Sequence, residues 1–265
     1  MTAPLRVEQR PDGVRRLVLD RPDARNAISV EMRELLLDAV ADARRDPEAR
    51  CLLLTGAGDA FCAGMDLRES TVKDAGTEGF DPRSTSETLR TGIQAIVREL
   101  WELDKPTVAA VNGVAVGPGA HIALACDFVL TRPESRFIWS FSRWGLVVDA
   151  GGAYLLPRLV GMARAKELIL LGDDVDGQRA VELGLASRYC EDLDAEADEL
   201  AGRLAAMPTR ALGLSKRLLN TAFETDLPAA LEAEGHYQAL ATTTDDLVEG
   251  MAAFREKRDP DFHGR

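Results

Sequence analysis

Two glycine-bearing turns hold the residue types and spacing that could do chemistry in this 265-residue chain. Phe61-Cys62-Ala63-Gly64-Met65-Asp66-Leu67 follows one apolar run, and Asn112-Gly113-Val114-Ala115-Val116-Gly117-Pro118-Gly119 follows another. Turns of this kind aim backbone N–H groups outward, and two that face each other can hold one developing oxyanion. The same glycines also suit ordinary tight turns, and spacing alone leaves both readings open. Other chemistries lack their signatures. The chain has no H-E-x-x-H, no G-x-S-x-G, no G-x-x-x-x-G-K-[ST] and no EF-hand loop, so metal, phosphoryl-transfer and serine-hydrolase readings are set aside. Gly56-Ala57-Gly58 follows a strand pattern but lacks the third glycine of a dinucleotide fingerprint. Cys51, Cys62, Cys126 and Cys190 are scattered, with no C-x-x-C pair and no His at zinc-ligand spacing. They read as reduced, mostly buried thiols, and no metal site is expected.

Elements of α/β character must position these turns. Leu5–Gln9 and Val14–Leu19 flank the turn signal Pro11-Asp12-Gly13 and predict a hairpin. Ser29 is a candidate N-cap for a helix whose inner face carries Met32, Leu35, Leu36, Ala39, Val40 and Ala43. Cys51–Thr55 is a continuous apolar run, which suits a strand covered on both faces. Residues 68–86 are polar, contain Gly76, Gly79 and Pro82, and predict a long loop. A helix with Leu89, Ile93, Ile96, Val97 and Leu100 on one face precedes a strand at Thr107–Val111. A short helix at Ala120–Ala125 and a strand at Asp127–Leu130 follow, which makes a weak repeat of strand, strand, helix. From Gly161 the composition turns to Ala, Leu, Glu and Arg, with helical patterns over 163–171, 178–183, 193–207, 209–223, 227–240 and 245–257. The last of these have no strand to cover, so they are expected to pack on a neighbouring copy.

Arg21-Pro22 through Asn26-Ala27, the A-F-C-A-G-M-D-L run, K-P-T-V-A-A-V-N-G-V-A-V-G-P-G from Lys105 and G-L-V-V-D-A-G-G from Gly145 together resemble the enoyl-CoA hydratase/isomerase (crotonase) family. The likeness runs from about Leu17 to Arg258. It implies an α/β, crotonase-like spiral of β-β-α units with a C-terminal helical trimerisation subdomain. Residues 1–200 would form the core with the acyl-CoA site, and residues 201–265 the helical oligomerisation region of a homotrimer or hexamer. Acyl-CoA thioesters are the implied substrates, in fatty acid metabolism, with CoA a part of the substrate and no separate cofactor. The shared device is an oxyanion hole for the thioester enolate.

Mapped by motif, the Ala63 N–H is the first donor and the second falls on Pro118, which has no N–H. Losing one such donor costs roughly 3–4 kcal/mol. Either the Gly119 N–H replaces it through a shifted turn, or the chemistry is weakened. The two carboxylate positions of the hydratases match His121 and Phe141 here, which disfavours a two-Glu mechanism. Asp149 stands where isomerases resembling the phenylacetate-pathway ring-epoxide acyl-CoA isomerase place a single catalytic Asp, and F-S-R-W-G-L, L-L-P-R-L-V-G and P-T-R-A-L-G-L-S-K look most like that subgroup. Asp149 also reads as the N-cap of a helix opening at Ala150. A helix N-terminus would favour its ionised form and oppose the raised pKa that apolar neighbours give.

The implied activity is an enoyl-CoA double-bond isomerase (an isomerase rather than a lyase) using Asp149 as a single proton shuttle. Three alternatives stand beside it: a hydratase using His121 and Asp149 around a water, a non-catalytic acyl-CoA binding protein, which Pro118 supports, and an Asp149 nucleophile. His121 reads as a pocket-wall or hydrogen-bonding residue, and Trp139, Phe141 and Trp144 as walls of an apolar pocket or the core. For CoA, the resemblance points to Ala24–Ala27, with Arg25 and Ala27, and to Ala63, Gly64, Met65, Asp66 and Leu67. Phe254 and Lys257 would arrive from a neighbouring subunit. Arg25 and Lys257 read equally as solvated surface charges, and Asp66 as the residue that fixes its turn.

Charge narrows the partners. Lys and Arg total 32 against 44 for Asp and Glu, a formal charge of −12. Such a surface repels phosphate backbones and anionic lipid, so neither nucleic acid nor membrane is expected. Any anionic ligand needs a local cationic or N–H-rich site. The start, MTAPLRVEQRPDG, has no apolar signal-peptide core, and no segment reaches the roughly 18 apolar residues of a membrane span. A soluble, cytoplasmic protein is expected.

Overall fold

The computed structural model describes residues 3–70 and 74–265. Strands β1 (Leu5–Gln9) and β2 (Val14–Leu19) form the expected antiparallel hairpin. Ser29 caps α1 (Val30–Arg45), its Oγ accepting the Met32 N–H at 3.1 Å. From there the chain repeats one unit. Strands come in pairs: β3 (Cys51–Gly56) with β4 (Ala60–Cys62), β5 (Thr107–Val111) with β6 (Val114–Val116), and β7 (Phe128–Thr131) with β8 (Arg136–Ile138). In each pair the first strand joins a six-stranded sheet and the second a four-stranded sheet. Helices follow each pair: α2 (Pro82–Thr91) and α3 (Ile93–Trp101), then α4 (Pro118–Leu124), then α5 (Gly152–Val160) and α6 (Met162–Leu171). Two-residue strands β9 (Val175–Asp176) and β10 (Arg188–Tyr189) flank α7 (Gly177–Leu183) and close the two sheets. The sheet orders are β1-β2-β3-β5-β7-β10 and β4-β6-β8-β9, which is the spiral of β-β-α units.

β3 is covered on both faces. Leu52 and Leu54 enter the main core with α1 and α3, while Cys51 and Leu53 enter a second core under α8 (Leu193–Ala205), whose Leu193, Ala197, Leu200 and Leu204 close it. Such two-sided burial is what a continuous apolar strand requires.

Two expectations change. The helix read through Leu89 and Leu100 is broken at Gly92 (φ −104°, ψ −106°), where a Cβ would lie 2.7 Å from Arg33 Cδ. The loop read over 68–86 ends at Pro82, with Asp81 capping α2 by accepting the Arg83 N–H. No residue of α2 is buried, so it left no apolar period to read. Residues 71–73 of that loop lie outside the described residues.

Helices α9 (Thr209–Asn220), α10 (Leu227–Ala241) and α11 (Asp245–Glu256) follow α8. α10 buries no residue and exposes Leu227, Leu231 and Leu240, and α11 exposes Val248, Met251 and Phe254. The chain after α11 folds back: Asp246 accepts the His263 and Gly264 N–H groups at 2.7 and 2.8 Å, and Arg50 Nη1 donates to the Phe262 carbonyl at 2.7 Å. Among the described residues no helix is long and apolar enough to cross a membrane.

Candidate active site

The two glycine-bearing turns meet. Parallel pairing of β4 with β6 sets Cys62 beside Ala115 and carries the turns forward side by side. At Gly64, φ is +89° and an added Cβ would lie 2.9 Å from the Val116 carbonyl oxygen and 3.6 Å from Pro118 Cδ. At Gly119 an added Cβ would lie 2.4 Å from the Cys62 carbonyl oxygen, so α4 rests directly on the end of β4. Buried Asn26 fastens the preceding loop to this edge: its Nδ2 donates to the Ala57 and Ala60 carbonyls at 2.9 and 2.8 Å. Sequence reasoning placed Asn26 in a motif without giving it this role. A buried amide with three partners rigidifies its surroundings, since leaving any of them unmet is costly.

The backbone donors are assigned differently from the motif mapping. The Ala63 N–H donates to the Arg25 carbonyl at 2.9 Å, so it is engaged and does not face a ligand. Ile28 donates to the Gly64 carbonyl at 2.8 Å and accepts from the Asp66 N–H at 3.0 Å, a parallel bridge between Ile28 and Met65. In that bridge Met65 turns its own N–H away from Ile28, and among the described residues it has no backbone acceptor. Ala63 and Met65 are two apart, which spacing in the motif does not separate. On the other turn Pro118 opens α4 without an N–H, and the first amide to bond back is His121, to the Gly117 carbonyl at 3.1 Å. The Gly119 N–H, in that first turn, has no backbone acceptor among the described residues.

Behind the turns lies an aromatic wall. Phe141 Cζ approaches Gly117, 3.2 Å from where a Cβ would stand, and Phe141 stacks on His121 with centroids 5.8 Å apart and planes 8° apart. His121 is fully buried, and the Trp139 Nε1–H, equally buried, donates to His121 Nε2 at 3.0 Å. Burial pushes the His121 pKa down to about 4; the Asp149 carbonyl, which favours the charged ring, offsets this only in part. A Cβ on Gly152 would lie 2.2 Å from His121 Nε2 and 2.7 Å from Val148 Cγ2, so the ring forms the floor under the turn that carries Asp149.

Asp149 is half-buried, and its Oδ1 is enclosed with no hydrogen-bond partner among the described residues. Burial pushes its carboxyl up to about 6 against the opposing pull of its own amide. It is not a cap: α5 is preceded by Gly151 (φ 79°) with no side-chain cap bond, and the Asp149 carbonyl, not its carboxylate, accepts the Gly152 N–H at 2.9 Å. Without that cap bond, desolvation wins over the helix-terminus effect.

Asp66 is buried between Arg68 at 2.7 Å and Arg21 at 3.0 Å, and it accepts the Arg68 N–H at 3.1 Å. Those hydrogen bonds, the Arg68 side chain first, hold its carboxyl well below the usual range, so it braces its turn as expected. Arg25 is exposed at φ 48°, and the half-buried Ala27 carbonyl accepts from Arg21 Nη1 at 2.5 Å. Leu67 and Trp144 are 46% and 66% exposed, so Trp144 is not a core residue, whereas Trp139 is. Phe254 is 80% exposed and Lys257 is exposed at φ 57°, both at the solvent-facing end of α11.

A family model described as enoyl-CoA hydratase/isomerase matches residues 9–265. A relative in Escherichia coli K12, 1,2-epoxyphenylacetyl-CoA isomerase, is 40% identical over 259 residues, 96% of each chain. A second Escherichia coli relative, 2,3-dehydroadipyl-CoA hydratase, is 35% identical over 251 residues, 94% of each chain. The solved structure of an enoyl-CoA hydratase from Polaromonas sp. JS666 superposes with a TM-score of 0.90 at 32% identity, covering 97% of this chain and 99% of that one.

Proposed function

This chain belongs to the enoyl-CoA hydratase/isomerase family, and from that premise we propose that it is an acyl-CoA double-bond isomerase with Asp149 as its one proton carrier. The observation that carries this reading is the enclosed, unpartnered Asp149 Oδ1 beside a fully buried, neutral His121. In a 3-enoyl thioester, Asp149 takes a proton from C2, the electrons move into the thioester carbonyl as a dienolate, and the same carboxyl returns the proton to C4. Backbone N–H groups of Met65 and Gly119 hold the thioester oxygen as charge develops on it, taking the roles first mapped to Ala63 and Pro118. A carboxyl near 6 is matched to such a shuttle at neutral pH.

CoA enters as part of the substrate, along Arg25, Ala27 and the 63–67 turn. The exposed apolar faces of α10 and α11 support an oligomer, trimer or hexamer, built through residues 201–265. Conversion of a 3-enoyl-CoA to the 2-enoyl isomer tests the reading. Asp149→Asn should lower kcat by about a hundredfold or more, and full activity in that variant removes Asp149 from the role. The 2,3-dehydroadipyl-CoA hydratase likeness favours one second reading, water addition by Asp149 with His121. It predicts that crotonyl-CoA is hydrated faster than it is by Asp149→Asn.

A further inference from the structure

His121 and Trp139 form a buried polar pair that the proton shuttle does not itself use. The indole N–H donates to His121 Nε2 at 3.0 Å, and both side chains are fully buried. An indole N–H can only donate, so the ring nitrogen facing it must present a lone pair, and a neutral imidazole with its lone pair at Nε2 carries its proton on Nδ1. Protonating both nitrogens would set two N–H groups against each other in the core. Nδ1 is enclosed and makes no well-formed hydrogen bond among the described residues, the Asp149 backbone carbonyl being the acceptor that approaches the ring, and Asp149 Oδ1 on the same turn is enclosed without a partner among them. Phe141 stacks on one face of the ring and Gly152 lies hard against it, so the ring cannot swing without displacing the turn that holds Asp149.

We infer that Trp139 is a positioning residue that fixes His121 as the neutral Nδ1–H form, so that the group beside Asp149 is a hydrogen-bond donor and not a second base. The inference rests on the single-Asp reading and deepens it, assigning the choice between isomerisation and water addition to this pair. Water addition needs one group to take a proton from water and another to deliver one to carbon. Here the only lone pair of His121 points at the indole, and a neutral imidazole N–H is too weak an acid to protonate carbon. Asp149 alone exchanges protons, and the proton it removes from one carbon is the one it returns to another.

Long-range proton–nitrogen spectra of the labelled protein read the ring form directly. One of the three histidines should show a protonated Nδ1 and an unprotonated Nε2, unchanged between about pH 5 and about pH 8. Trp139→Phe should convert that signal to the Nε2–H form or a mixture, and should raise the ratio of water addition to isomerisation about tenfold. A wild-type ring of the Nε2–H form, or one that titrates in that range, overturns the inference, as does a Trp139→Phe protein with both ring form and product ratio unchanged. The wild-type spectrum decides the ring form even where Trp139→Phe does not fold. An Nδ1–H ring in a protein that isomerises nothing supports the ring assignment and sinks the isomerase reading instead.

Discussion

Asp149 lies at a cost to the fold that its chemistry explains. Its carboxyl is pushed from 3.8 to about 6 by burial, so the folded state binds this proton more tightly than the unfolded chain does. The stability it contributes is therefore full below pH 3.8 and is lost as pH rises through about 6. Asp149→Asn carries no charge in either range. It should be more stable than the wild type at pH 8, by up to about 2 kcal/mol after allowance for partial exposure, and no more stable at pH 3.5. Thermal unfolding at the two pH values measures this, and an equal effect at both denies the desolvated carboxylate. This residue was only half legible in the sequence. Its position in a motif was visible, but the N-cap alternative stood until the left-handed Ala150 (φ 44°) and Gly151 showed that the helix starts later. The Ala63 assignment changed for a related reason: the left-handed Gly64 between them turns Ala63 and Met65 differently, so the Ala63 N–H bonds the Arg25 carbonyl while Met65, in the Ile28 bridge, has no backbone acceptor among the described residues, and motif spacing does not show that reversal.

At the scale of elements, short strands β4 and β6 and the turns after them do the positioning. Long elements are readable because their periods are strong: the β1–β2 hairpin begins and ends as read, and α1 starts after the Ser29 cap with the inner face read for it. Strands β4, β6 and β8 are three residues each, too short for any period, and their partners are distant in sequence, so only the spiral topology reveals them. Gly64, buried between the two turns, is where this arrangement is most sharply tested. Its φ of +89° and the 2.9 Å approach of the Val116 carbonyl to an added Cβ leave no room for a side chain. Gly64→Ala should cost about 1–2 kcal/mol from the left-handed backbone alone. It should also spread the turns, lowering kcat more than it raises KM, because the oxyanion contacts matter most in the transition state. An Ala variant with wild-type kcat would separate this turn from the chemistry.

At the scale of the molecule, the C-terminal helices leave apolar surface that one chain does not cover. Leu227, Leu231 and Leu240 on α10 and Val248, Met251 and Phe254 on α11 are all more than half exposed, large apolar side chains of the kind that a contact between molecules would cover. Leu231→Asp with Phe254→Asp should shift the protein to a smaller species in sedimentation velocity while leaving its helical signal intact. An unchanged sedimentation coefficient would mean that these faces do not join copies. The four cysteines give the molecule an internal record of how it opens. Cys62 and Cys126 sit in the main core, and Cys51 and Cys190 in the core under α8. All four are buried, and burial pushes their thiols up, those of Cys62, Cys126 and Cys190 to about 12. Alkylation at neutral pH must then wait for exposure. If the two cores melt together, all four thiols are labelled at one rate; if α8 peels away first, Cys51 and Cys190 are labelled ahead of the pair behind the site. A single chemical reagent can thus time the loss of each core separately, with no probe added to the chain.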